Sequence, residues 1–262
     1  MFQLATAPRG IGQVLDSVFQ LTRLIFVPML PLSLIGGLIS AIPLGYLLMS
    51  GMIGDPAAKA QSLISVGYWI SILVMLPLSM ILYAACILQG ESIAQDHRYG
   101  VGKCIGFVVP RVITLIAAFI LYSIAIVLGL VLLVVPGLIL MLSLYMFLPA
   151  IVLDGKGIIE SLQYSHSLVW GNWWRTAAVA TIAIIIIYVL VILVGLVFGL
   201  VLIVTGFDPV IAFLIEAAVT VLAGLLITPL FIALYLEMYR DLKMRKTGGD
   251  LAARIESAGA PG

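Results

Sequence analysis

The sequence predicts an all-α polytopic membrane protein, with six transmembrane helices and amphipathic interfacial helices on its cytoplasmic face. Three observations carry that prediction. The 262-residue chain is 63% hydrophobic and only 10% charged, and its mean hydropathy of +1.27 lies far above that of a water-exposed domain. Its apolar residues fall into six runs, each long enough for the roughly 20 helical residues that cross a bilayer. Twelve of its thirteen Lys and Arg residues lie on one side of the resulting six-span pattern.

The spans cover 24–51, 63–90, 108–134, 136–153, 176–205 and 210–239. Arg9 and Arg23 precede the first, and Arg98, Lys103 and Arg111 lie around the second connection. Lys156 and Arg175 flank the fourth connection, and Arg240, Lys243, Arg245, Lys246 and Arg254 follow the last span. Lys59 alone falls on the opposite side, and the turns near Pro136 and Asp208 carry no Lys or Arg. Short basic loops resist translocation, so both termini are expected in the cytoplasm of a multi-pass plasma-membrane protein. Residues 1–240 then form one membrane domain and 241–262 a polar cytoplasmic tail.

Within this frame, 11–25 reads as an amphipathic helix lying in the headgroup plane before the first span. Ile11, Val14, Leu15, Val18, Leu21 and Ile25 form its apolar face. A second such helix covers 157–170, with Ile158, Ile159, Leu162 and Val169 as its stripe and Glu160, Ser161, Gln163, Tyr164 and Ser167 opposite. The connection 99–109 occupies the equivalent place before the third span. The pattern is an interfacial segment, a span out and a span back, three times over. Tyr83 and Tyr235 each follow a proline by six residues, and Tyr145 lies in the other returning span.

Prolines 28, 31, 43, 77, 110, 136, 149 and 229 lie within or at the ends of spans. Each interior one removes a backbone hydrogen bond, which makes either a static kink held by neighbours or a hinge. Gly195 and Gly199 form a GxxxG, and Ala217, Ala218, Ala223 and Gly224 smooth the last span, so close helix packing is expected there. That packing is intramolecular on the plainer reading and a homodimer contact on the other. Cys86 and Cys104 fall near or on the cytoplasmic side and are expected reduced. No secretory signal is expected ahead of the first span, whose apolar run is too long for one.

Catalytic motifs are absent: there is no HExxH, GxSxG, Walker A loop or paired CxxC. No cofactor is implied, and a net charge of +1 without a basic aromatic patch argues against nucleic acid. His97, His166, Glu91, Asp96, Cys104, Asp154 and Glu160 share one side, but no spacing among them demands a metal. Glu216 is the carboxylate read as intramembrane, where charge is costly and function is suspected. Trp170, Trp173 and Trp174 cluster where the second amphipathic segment meets the fifth span, as interfacial anchors. With Asn172 and Arg175 they form the candidate contact for a lipid headgroup or a membrane-protein partner. On this reading, replacing Trp173, Trp174 and Arg175 together weakens lipid or partner retention and leaves folding intact.

One stretch has a family likeness. Val134-Val135-Pro136-Gly137-Leu138-Ile139 is followed by Leu148-Pro149-Ala150, Asp154-Gly155-Lys156-Gly157 and Ser161, then by Ser165-His166-Ser167-Leu168-Val169-Trp170-Gly171-Asn172-Trp173-Trp174-Arg175. This resembles the YciC-like family of bacterial inner-membrane proteins. More distantly, it is similar to the membrane domain fused to some glycerophosphoryl diester phosphodiesterases, whose start Gly12, Leu15-Asp16, Phe19, Leu21 and Arg23 also echo. The resemblance implies a six-span inner-membrane protein linked to envelope maintenance, with no catalytic residue to carry over. The residues after Arg240 are too few to hold the phosphodiesterase's soluble domain. The function expected is non-enzymatic binding of lipids or partner proteins. The alternatives are a small transporter using proline-broken helices and Glu216, and an intramembrane lipid-processing enzyme.

Overall fold

A computed structural model of the chain describes residues 9–49, 65–205 and 209–259, and every element among them is helical. Lys59 and the turn at Asp208 lie outside the described residues. In chain order the helices are α1 (Ile11–Ser40), α2 (Ile42–Met49), α3 (Val66–Ala94), α4 (Val101–Val108), α5 (Val112–Leu132), α6 (Val134–Leu144), α7 (Phe147–Asp154), α8 (Ile158–Val169), α9 (Trp173–Thr205) and α10 (Pro209–Gly259). A 3₁₀ turn, Val109–Arg111, joins α4 to α5. Six stretches are long and apolar enough to cross a membrane: Ile11–Leu47, Val66–Ala94, Val101–Leu132, Val134–Asp154, Trp173–Val201 and Leu214–Gly248.

The amphipathic start of the chain does not form a separate surface helix. It is the first part of α1, which runs unbroken from Ile11 to Ser40 through Pro28 and Pro31. Its apolar face continues as a single buried stripe of Val14, Val18, Leu21, Ile25, Met29 and Leu32. That three-and-four spacing keeps one side of a helix in contact along its length, and α1 packs chiefly on α10 and α3. Gly90 lets α3 approach α10: a Cβ there would meet Leu236 Cδ1 at 2.9 Å and Ile232 Cγ2 at 3.2 Å.

The short helix expected before the fifth span is present as α8, and the connection before the third span also forms one, α4. The buried side of α8 differs from the apolar stripe read from the sequence. Ser161, Ser165, Leu168 and Val169 are buried, and Ile159 is exposed. The reason is a break in the fourth span at Tyr145–Met146, between α6 and α7. Ser165 Oγ donates to the Ser143 carbonyl at 2.8 Å and accepts from the Met146 N–H at 2.9 Å, serving backbone groups at the break. Pro149 has no N–H for the carbonyl of Tyr145, and the Tyr235 hydroxyl donates to that carbonyl instead. This proline kink is therefore held by its neighbours.

The three tyrosines of the returning spans converge. Tyr145 and Tyr235 have ring centroids 4.7 Å apart, and Phe231 lies edge-on to Tyr83 at 6.3 Å and to Tyr145 at 6.5 Å. The turn from α5 to α6 is a single extended residue, Leu133. Gly129 and Gly137 make this turn possible, since a Cβ on Gly129 would sit 2.8 Å from the Gly137 Cα. By contrast, a Cβ on Gly195 or Gly199 would meet nothing within 4 Å, so that GxxxG does not pack inside the bundle. The last helix also departs from expectation. α10 continues through the residues read as a polar tail and ends at Gly259.

Candidate functional site

Several of the basic residues that mark one side of the hydropathy pattern meet acidic partners at one end of the bundle. Glu237 and Asp241 lie one turn apart on α10, and both are buried. Asp241 accepts from the Arg9 backbone N–H at 3.0 Å, from Arg175 Nη2 at 3.1 Å and from Arg245 Nε at 2.9 Å. Arg175 Nη2 and Arg245 Nη2 also donate to the Arg9 carbonyl. Glu237 accepts from Arg240 Nη1 at 2.6 Å and from Arg9 Nη1 at 3.3 Å. Arg240 Nη2 reaches Glu91 on α3 at 2.5 Å. Four guanidinium groups and three carboxylates thus join the segment before α1 to α3, α9 and α10. Removing charges from water is offset by this mutual pairing, and a partner lost from such a set leaves another charge buried alone.

Beside this network lies a cavity of about 470 Å³. Glu91, Arg240, Lys243, Tyr239 and Asp154 form the wall nearest the ion pairs, and His97 and Lys103 form another part of the lining. Leu88, Phe107 and Val152 are among its apolar members. Asp154, at the end of α7, accepts from Lys243 Nζ and from the Tyr239 hydroxyl, each at 2.6 Å. It is placed there by Gly155, whose φ of +66° is a left-handed helix cap suited to glycine. Lys103 Nζ sits 3.7 Å from the Tyr99 ring centroid, a cation–π contact that leaves its positive charge unneutralised. The cavity so combines ammonium and guanidinium groups with apolar walls, at the end where spans emerge.

The residues singled out in the sequence fall in three environments. Trp170 and Trp174 are exposed, at 62% and 82%, as interfacial anchors require. Trp173 lies edge-on to Trp174 at 4.8 Å, and its indole Nε1 is buried without a hydrogen-bond partner. Asn172 starts the following helix, its carbonyl accepting from Thr176 at 2.9 Å. Arg175 belongs to the ionic network instead of standing free for a phosphate, so its replacement cannot leave folding untouched. Glu216 is exposed on α10, and its carbonyl accepts from the Thr220 hydroxyl at 2.8 Å.

On the neighbouring surface Lys156 donates to Glu160 at 2.6 Å, one turn into α8. That bond and the Gly157 N–H hold the Glu160 carboxyl below its ordinary range. Among the described residues, no three His, Cys, Asp or Glu side chains are grouped to hold a metal ion. Cys86 and Cys104 are free and buried.

The family model for DUF7847, a domain of unknown function, matches residues 4–242. The chain belongs to this family. No curated protein and no solved structure matches it.

Sequence reasoning passed over Glu237 and Asp241, the hub of the network. A signal was present: two carboxylates four residues apart, interleaved with Arg240 and Arg245 on a helix leaving an apolar span. Gln89, a buried polar residue inside an apolar run, and Ser165, buried on the amphipathic helix, were also missed.

Proposed function

We propose that the protein is a non-enzymatic membrane protein that binds lipid headgroups at the charged end of its bundle. Its expected setting is the bacterial inner membrane, with both termini in the cytoplasm, where it serves envelope maintenance. The 470 Å³ cavity carries this reading. Its cations suit a phosphate, its apolar walls suit the glycerol and first methylenes, and its place at the span ends is the depth of headgroups. The exposed Trp170 and Trp174 support the same depth assignment. The basic bias and the likeness to the YciC-like family support the membrane and its orientation.

Native mass spectrometry of the gently extracted protein tests the proposal. Wild type should retain phospholipid, and Lys103→Ala with Lys243→Ala should lose most of it with the ionic network intact. Unchanged retention in the double variant would remove this cavity from the function. Trp170→Ala with Trp174→Ala tests the anchors without touching Arg175.

A second reading, transport, draws on a smaller chamber between α1, α3 and α10. It measures about 100 Å³ and includes Ser33, Ser79, Thr220 and Thr228 in its lining. Ser33 Oγ is buried there with no partner, and Glu216 lies one turn from Thr220. On this reading proteoliposomes carry an ion flux that Glu216→Gln abolishes. Sealed wild-type vesicles with no flux would dispose of it.

A further inference from the structure

A second cavity of about 390 Å³ opens between α1, α3 and the start of α4, sharing Tyr99 with the lining of the first. Three independent features meet in it. The first is Gln89, 3% exposed on α3. Its Nε2 donates to the Pro28 carbonyl at 3.3 Å, and its Oε1 has no partner. The amide orientation follows from the bond, because a carbonyl only accepts; the oxygen left over is an acceptor without a donor. A buried acceptor of this kind is costly unless a ligand or water supplies the hydrogen.

The second feature is the beginning of α4. Gly100 is its N-cap and offers no side chain to the first N–H groups. The first helical bond returns from Cys104 N–H to the Gly100 carbonyl at 3.1 Å, so the amides of Val101 and its two successors have no such bond. A Cβ at Gly100 or Gly102 would meet nothing within 4 Å, so a ligand can approach this backbone closely. Amides at a helix start favour an anion.

The third is Arg98, exposed on the cavity's lip. Its φ of +43° and that of Asp96, +61°, lie in the left-handed region, which Asp enters more readily than Arg. Ser92 holds the loop in this shape, its carbonyl accepting from the His97 N–H at 2.8 Å and its hydroxyl from the Tyr99 N–H at 3.2 Å. The loop thus places Arg98 and the start of α4 on the lining of one cavity. Leu24 and Pro28, exposed on α1, line the same cavity.

We infer that this cavity binds a phospholipid whose headgroup carries a hydrogen-bond donor. Arg98 and the α4 amides take the phosphate, Gln89 Oε1 takes a hydrogen from an ammonium or hydroxyl group, and acyl chains lie along Leu24 and Pro28. The inference rests on the lipid-binding reading but assigns a distinct site with its own selectivity. Ethanolamine and glycerol headgroups supply the hydrogen. A choline headgroup, with its quaternary nitrogen, does not.

The test is competitive lipid retention by the full chain. Purified protein is exposed to equal amounts of phosphatidylethanolamine, phosphatidylglycerol and phosphatidylcholine in mixed micelles, and bound lipid is counted by native mass spectrometry. Wild type should prefer the first two over the third by roughly tenfold, the size set by one buried acceptor left without a donor. Gln89→Met should level the preference, and Arg98→Ala, on an exposed loop, should lower retention of all three.

Equal retention of phosphatidylcholine by wild type overturns the inference with no variant needed. So does an unaltered preference in folded Gln89→Met. If the preference follows Lys103 and Lys243 instead, this inference falls and the larger cavity keeps the lipid-binding role. If wild type retains no phospholipid, both fall. Inorganic phosphate added to lipid-free protein separates the two sources of the anion. Stabilisation by phosphate equal to that by phosphatidylethanolamine, and lost in Arg98→Ala, would mark a plain anion site and overturn the lipid assignment.

Discussion

At the charged end of the bundle, Arg9 just before α1 and residues of α3, α9 and α10 close on one another through paired charges, whereas toward its other end α9 faces outward and its most apolar stretch is not buried. Both regions are held in a helical state by the same need to satisfy the backbone in lipid. They differ in what each side chain must be. Val204, 86% exposed, needs only to be apolar. Asp241 must be an acid of the right length, because Arg9, Arg175 and Arg245 all use it.

The sharpest way to break this contrast is at its hub. Asp241→Ala leaves the Arg175 and Arg245 guanidinium groups and the Arg9 backbone N–H short of a partner and should cost about 3–5 kcal/mol, the range for breaking buried pairs. Thermal unfolding in detergent reads it, and a loss below about 1 kcal/mol would mean that the pairing is peripheral to stability. A smaller effect is expected at the α5–α6 turn. Gly129→Val forces a branched side chain against the Gly137 backbone and should cost about 1–3 kcal/mol as overpacking. The smallest belongs to α9. Gly195→Leu and Gly199→Leu should each stay within about 0.5 kcal/mol in the monomer. A larger loss, or a change in subunit number by light scattering, would assign that face to a homodimer contact and blur the contrast.

The number of apolar helices was legible because hydropathy acts over whole segments, and six runs sufficed to read it. The site was less legible for a physical reason. Arg9 and Asp241 are 232 residues apart, and no local pattern reports that they touch. Arg175 looked free because its partner lies on another helix, and its cluster with the tryptophans drew the eye to the surface. The amphipathic face of 11–25 was read correctly as a face, but α10, not lipid headgroups, covers it. Likewise Ser161 read as solvent polarity and Ser165 was given no role, although a broken span next door uses the buried Ser165 hydroxyl. The run of charges after Tyr239 suggested a tail, and yet its i to i+4 spacing fits a helix that continues.

The distance along the chain between Arg9 and Asp241 also sets a schedule for biosynthesis. The α5–α6 hairpin needs only neighbouring residues and can pack soon after it emerges. The ionic network cannot. At about 5–20 residues per second, Asp241 follows Arg9 from the ribosome by roughly 10–50 seconds. During that interval Arg9, Glu91 and Arg175 wait at the membrane surface without α10. The nascent chain is therefore most exposed to misassembly late, and the arrival of its last helix is the step that seals it.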